Sequence, residues 1–246
     1  MTPEFLLSAW PVIRFAEIDS TNDEARRRAV AGDTGPCWLV TDAQSAGRGR
    51  LGRQWSSPKG NLFTTALLPY PRQASEATVV PFAAGLAVVD AARMAGVDRS
   101  SLGLKWPNDV LSDGAKLSGI LIETGLLHGK LWMAAGFGVN VEVAPERPDR
   151  PTACLADLPG GAGLTALRLL TFLDLAFRAR LNQLLTEGFA GVRADWLACA
   201  AYLNASIEVN GLKGVMIGLA DDGALMLQGD DGTITHVRAG EISLLS

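Results

Sequence analysis

Three arginines and three glycines alternate in the first seven residues of Gly47-Arg-Gly-Arg-Leu-Gly-Arg-Gln-Trp55. Arginine offers a planar fork of donors that stays charged at any working pH and matches phosphate and carboxylate. Glycine lets the backbone approach an anion and change shape around it. The segment is expected to be mobile when empty, because its charges repel and little apolar surface holds it. An anion would order it, with Trp55 as an apolar lid wall. A solvated loop, or an RGG-like piece that binds RNA, has the same composition. The net charge of −4 and the shortness of this one basic segment favour a small anionic ligand.

Three further segments carry candidate chemistry. Lys105-Trp-Pro-Asn-Asp109 places a cation, an amide and a carboxylate on one short bend whose direction Pro107 fixes. Such a set can hold phosphates, magnesium or an incoming amine, although Asn-Asp after proline is also ordinary turn chemistry. In Lys116-Leu-Ser-Gly-Ile-Leu-Ile-Glu123 a lysine opens an apolar strand, and Gly119 leaves room for a ligand to approach the backbone. A lysine snorkelling from a strand start has the same pattern. Gly136-Phe-Gly-Val-Asn-Val141 alternates small residues, which suits close packing over a ligand or another backbone.

The elements that position these segments follow from periodicity. A strand is predicted over 14–18. A helix then starts at the capping-box pair Thr21 and Glu24 and ends near Ala31 and Gly32. Strands are predicted over 37–41 and 62–68, flanking the polar connection 42–59, which is long enough to suggest function. Residues 77–95 have helical spacing. Strands follow over 102–106, 117–124 and 130–141, the last two joined at His128-Gly129. Residues 143–163 are a Pro- and Gly-rich loop, and helices cover 164–186 and 189–200. From Ile207 onward, short apolar runs are separated by Asn210-Gly211, Asp221-Asp-Gly223 and Asp230-Asp-Gly-Thr233, the turn signals of a small β-barrel. Such a unit is marginal alone and should dock on the rest. The expected division is 1–199 and 200–246.

The chain has 246 residues, 48% of them hydrophobic and 20% charged, which suits a folded core rather than disorder. Three separated cysteines and two histidines leave no plausible zinc site. They fit a cytoplasmic chain with free thiols. The start lacks a basic segment and a long apolar run, so it is not a signal peptide. The apolar stretch 79–89 is too short to cross a bilayer.

Taken together, Ser20-Thr-Asn22, the Gly47–Trp55 loop, Lys105-Trp-Pro-Asn-Asp109, Lys116 to Glu123 and Gly136-Phe-Gly-Val-Asn140 resemble the biotin–protein ligase family, in the family's own order and over nearly the whole chain. The resemblance implies an α+β fold. It consists of a mixed β-sheet with flanking helices, like the catalytic domain of class II aminoacyl-tRNA synthetases, plus a small C-terminal SH3-like β-barrel. It implies an ATP-dependent ligase that converts biotin to biotinyl-5'-AMP and transfers it to a lysine of a biotin carboxyl carrier protein. ATP and biotin would be the substrates, with Mg2+.

By position, Ser20, Thr21, Asn22 and Gln44 would line the biotin pocket, and Arg48, Gly49 and Arg50 would close over biotin and the adenylate. Lys116, beside Gly119, would hold the biotin carboxylate and acyl phosphate. Lys105, Asn108 and Asp109 would lie near ATP, magnesium and the acceptor lysine, with Trp55 and Asn140 on the adenine side. Lys116, Arg48, Lys105 and Asp109 are the expected catalytic set. Some family members carry an N-terminal DNA-binding unit. Here the pattern begins by Arg14, so no DNA partner is expected; the short apolar stretch 79–89 gives no reason to expect a membrane partner, and the chain would be a monomer or a homodimer. A lipoate or octanoate ligase of related fold is the nearest rival, but its expected Arg-Arg-x-Ser-Gly-Gly-Gly string is absent. A nucleic-acid-binding protein using the Gly/Arg loop is the other.

Overall fold

The computed structural model describes residues 2–245, the side chain of Arg99 excepted. Seven strands make one sheet: β1 (Val12–Phe15), β2 (Cys37–Thr41), β3 (Leu62–Pro69), β4 (Leu102–Lys105), β5 (Asp109–Ser112), β6 (Ala115–Leu127) and β7 (Lys130–Val139). Their order is β1-β2-β3-β7-β6-β5-β4. β1 and β2 are parallel and every other pair is antiparallel, so the sheet is mixed. β6 and β7 join through His128 and Gly129, both at positive φ, as a two-residue hairpin requires.

Alternation along β2, β3 and β7 sorts side chains between two cores. Trp38, Val40, Ala66, Leu68, Ala135 and Phe137 face the larger core. It also holds residues of α2 (Val80–Met94), α3 (Ala166–Glu187) and α4 (Phe189–Leu197). Leu39, Leu67, Trp132 and Ala134 face the other side, where Ala25 and Ala29 of α1 (Thr21–Val30) cover them. The stretch Ala74–Met94 is long and apolar enough to cross a membrane, but 72% of its apolar window is buried in this core. Its apolarity is therefore accounted for by packing.

Three boundaries differ from the sequence-based expectation. α1 is capped by Ser20, whose hydroxyl accepts from Asp23 N, and not by Thr21. The Thr21 hydroxyl and N–H are both taken by Gln44 Oε1, at 3.2 and 2.9 Å. The 77–95 helix divides into a 3-10 turn (Ala74–Val79) and α2, with Pro81 in the first turn of α2, where its missing N–H costs nothing. β1 ends at Phe15, and Ile18 makes only an isolated bridge to Gln44.

The tail forms β8 (Ser206–Val209), β9 (Leu212–Leu219), β10 (Leu225–Gln228), β11 (Ile234–Val237) and β12 (Ile242–Leu244). They pair as a five-stranded antiparallel sheet in the order β11-β10-β9-β8-β12. This sheet docks on the first unit. Leu104 N bonds Cys199 O and Ala201 N bonds Leu104 O, which extends the β4 edge. The buried Trp106 indole donates to Gly223 O at 3.1 Å.

Candidate active site

Sheet register places the site on the α1 side. Gly119 of β6 lies directly opposite Gly138 of β7, and Leu121 opposite Gly136. Facing side chains would crowd this surface. A Cβ on Gly119 would stand 2.7 Å from the Trp55 ring, and one on Gly138 would come closer still. The paired glycines are thus a floor for the Trp55 indole, which anchors the Gly/Arg loop. The loop therefore has more apolar support than its composition suggests. Gly136 gives the same clearance to the Asn22 amide.

Lys116 reaches this face through an irregularity. From Ser118 to Lys116, β6 advances two residues while β5 advances one, from Val110 to Leu111. The extra residue, Leu117, buries itself in the larger core. The bulge returns Lys116 to the side of Gly119. There its ammonium pairs with Asp109 Oδ1 at 2.7 Å and lies 5.4 Å from the centre of the Trp55 ring.

The candidate site residues, from Ser20 to Asn140, all line one solvent-open cleft. One end is polar, buried and fixed. Ser20, Thr21 and Asn22 are at most 4% exposed. Asn22 Nδ2 donates to Glu123 at 2.7 Å, which turns its Oδ1 toward the Thr65 hydroxyl at 2.6 Å. Thr65 also lies 2.8 Å from Thr21 Oγ1, and Gln44 Nε2 donates to Ser57. This end can grip a small neutral group that presents both N–H and C=O.

The rest of the cleft is cationic. Arg48 bonds Asp23 at 2.8 Å and Glu123 at 3.4 Å. Burial opposes its charge, but the two carboxylates outweigh burial and raise its pKa. The Arg50 guanidinium donates to Asn108 Oδ1 at 3.1 Å, and burial depresses its pKa while Asp109 partly restores it. Asn108 Nδ2 is held by Ile120 O at 2.7 Å. Burial also lowers the Lys105 pKa, against the pull of Asp109 and Glu241. Desolvated cations such as Arg50 and Lys105 gain most from an anionic ligand. Gly49 N bonds Arg53 O and closes the tip of the loop. Asn140 is buried in the cleft wall, its amide spent on Lys116 O and Ala153 O at 3.3 and 3.0 Å. It clips the strand that carries Lys116.

Several residues in or behind the cleft were not singled out from the sequence. Thr65, fully buried behind Thr21 and Asn22, lies inside an apolar strand and gives no local signal. Arg150 sits in the loop after β7, and Glu241 comes from the turn before β12. Glu241 pairs with Arg53 and with Arg150, the latter at 2.9 Å. Burial alone would raise the Glu241 pKa, but Arg53 and Arg150 hold it below the ordinary carboxylate value. Among the described residues no cluster of His, Cys, Asp and Glu is fit to hold a metal ion.

Comparison with known proteins places this geometry. Residues 15–140 match the model of the biotin/lipoate A/B protein ligase family, and residues 208–245 match the biotin protein ligase C-terminal domain. The chain is 38% identical to a biotin–[acetyl-CoA-carboxylase] ligase of Paracoccus denitrificans, over 88% of this chain and 94% of that one. It is 32% identical to the Mycobacterium tuberculosis ligase of the same name, over 92% and 86%. A biotin protein ligase of Aquifex aeolicus, solved with biotin and ATP, superposes with a TM-score of 0.78 at 27% identity, covering 96% of this chain and 98% of that one. A cleft with a fixed polar end and a cationic body, built on this sheet and carried by a chain this similar, makes the protein a member of the biotin/lipoate A/B protein ligase family, on its biotin protein ligase branch.

Proposed function

We propose that the cleft performs both half-reactions on its own residues: activation of biotin by ATP, and transfer to a lysine of a biotin carboxyl carrier protein. The convergence of Lys116, Arg50 and Lys105 beside a buried neutral polar end carries this assignment. Ser20, Thr21, Asn22 and Gln44 take the ureido ring, and the biotin carboxylate reaches Lys116. A carboxylate oxygen attacks the α-phosphorus of ATP, the bond to the bridging oxygen breaks, and pyrophosphate leaves. Arg48, Lys105 and Lys116 offset the charge gathered in that step. Trp55 and Asn140 border the adenine. Magnesium enters as part of its ATP complex, since this ion is commonly held by substrate phosphates and water, and the described residues gather no His, Cys, Asp and Glu cluster around it.

The mixed anhydride is labile to water, so Arg48, Gly49 and Arg50 close over it. With Lys116 turned to the acyl phosphate, Asp109 is released from its ion pair. It then orients the neutral carrier amine and takes the proton lost when nitrogen bonds the acyl carbon and AMP departs. The unit 1–199 supplies this chemistry and 200–246 covers one rim of it. The cytoplasm is the compartment that would supply ATP and the carrier. Incubation with ATP, magnesium and biotin should leave a bound species with the mass of biotinyl-5'-AMP, discharged on adding carrier. Recovery of biotin and ATP unchanged would reject the assignment, and formation of a lipoyl adenylate in preference would move it to the sister activity.

A further inference from the structure

Around the side-chain carboxylate of Glu241 the cleft has an excess of positive charge that the steps above draw on only through Lys105 and Arg50. Arg53 and Arg150 both pair with Glu241, and the Lys105 ammonium stands 4.0 Å from it. Arg150 also bonds Asp149, which Arg147 shares. Arg50 adjoins them and donates to Asn108 Oδ1. Arg50, Arg53, Lys105, Arg147 and Arg150 thus gather around Glu241, Asp149 and Asp109, the last already paired with Lys116, in a chain whose net charge is −4. Holding this many like charges together is costly, and these carboxylates offset only part of the repulsion. The side chains of Lys105 and Arg150 are only 15% and 24% exposed, so solvent screens them incompletely. Glu241 is supplied by a separate sheet on a short turn and is 34% exposed, so it can withdraw without unfolding either unit.

We propose that Arg150 grips the β- and γ-phosphates of ATP, and that Glu241 is an exchangeable counter-ion, occupying the polyphosphate position in the empty enzyme and returning when pyrophosphate leaves. This rests on the adenylation assignment above. The ligand is a polyphosphate because the cluster lies in the same cleft as Lys116 and Arg50, where the α-phosphate is placed, and its charge excess matches a multiply charged tail. The exchange makes and breaks no covalent bond. One carboxylate gives way to the phosphates that already carry the charge, and it favours product release because Glu241 competes for the same guanidinium groups.

The test uses the full chain, with inorganic pyrophosphate as the probe. Arg150→Gln should raise both the KM for ATP and the pyrophosphate concentration that half-inhibits adenylation, by about 10- to 100-fold, the worth of a charge-assisted hydrogen bond. Arg150→Lys should recover part of this. Transfer from preformed biotinyl-5'-AMP involves no polyphosphate, and its rate should fall far less than the adenylation rate. Glu241→Gln should act in the opposite sense and lower the half-inhibitory pyrophosphate concentration. Equal losses in both half-reactions for Arg150→Gln would make Arg150 structural and overturn the proposal. So would unchanged pyrophosphate inhibition alongside a raised KM for the carrier, or weaker pyrophosphate binding in Glu241→Gln. A wild-type chain with no biotin-dependent pyrophosphate release would instead defeat the adenylation assignment itself.

Discussion

Replacing Lys116 with alanine separates two consequences that the ion pair with Asp109 binds together. At 2.7 Å and an effective dielectric of about 20, the pair's attraction is about 6 kcal/mol. Desolvating the two groups cancels most of that, since their side chains are 18% and 10% exposed. The net pair is therefore worth little, and Lys116 can be handed to an incoming anion at small cost. Its catalytic worth is different, because charge on the attacked phosphate grows only in the transition state. A fixed cation there contributes about 3–5 kcal/mol, so Lys116→Ala should slow adenylation by about 10²–10⁴. It also strands the Asp109 carboxylate, at a stability cost of about 1–3 kcal/mol after discounting for partial exposure. Lys116→Ala/Asp109→Asn should recover that stability and none of the rate. The assays are single-turnover, biotin-dependent pyrophosphate release and denaturation of both variants. Near-normal release in Lys116→Ala, or a rate that returns with stability in the double variant, would refute the assignment of Lys116 to the acyl phosphate.

Arg48→Ala removes the ties to Asp23 and Glu123 that hold the loop over the cleft. Biotinyl-5'-AMP should then escape into solution, where chromatography would detect it; a variant that retains all of it would remove the lid role. Gly138→Ala drives a methyl group into the Trp55 ring and should cost about 1–3 kcal/mol in chemical denaturation. An unchanged midpoint would mean that the indole does not rest on the glycine floor. Asp19 has its pKa lowered to about 2, chiefly by hydrogen bonds from Arg27. A carboxylate whose folded pKa lies below its unfolded value adds stability that is complete above pH 3.8 and is lost as pH falls toward 2. Both side chains are about half exposed, so the effect is small. Asp19→Asn should flatten the denaturation midpoint in that window, and an identical slope in the variant would rule the pair out.

The site was legible in the sequence where its chemistry is contiguous. Gly47 to Trp55 and Lys105 to Asp109 are each read within one segment, and the structure keeps each at one wall of the cleft. What stayed hidden depends on pairing between distant segments. Gly119 looked like room for a ligand. Its meaning came from standing across from Gly138, a relation fixed by the register of β6 and β7 and invisible in either strand alone. Thr21 looked like a helix cap because the competing acceptor, Gln44, lies 23 residues away. Arg150 and Glu241 are 91 residues apart, and nothing in the sequence ties one to the other.

The bulge at Leu117 shows the same dependence at the centre of the chemistry. In an unbroken ladder, side chains alternate strictly, and Lys116 would point away from Gly119 into the core beneath α2. An apolar residue at 117 is what makes the irregularity favourable: its side chain fills that core and is fully buried, while the lysine beside it emerges on the opposite face. The position of the catalytic ammonium is therefore set by hydrophobic burial one residue away. For this reason the motif's leucine constrains the chemistry as firmly as its lysine does, although it touches no substrate.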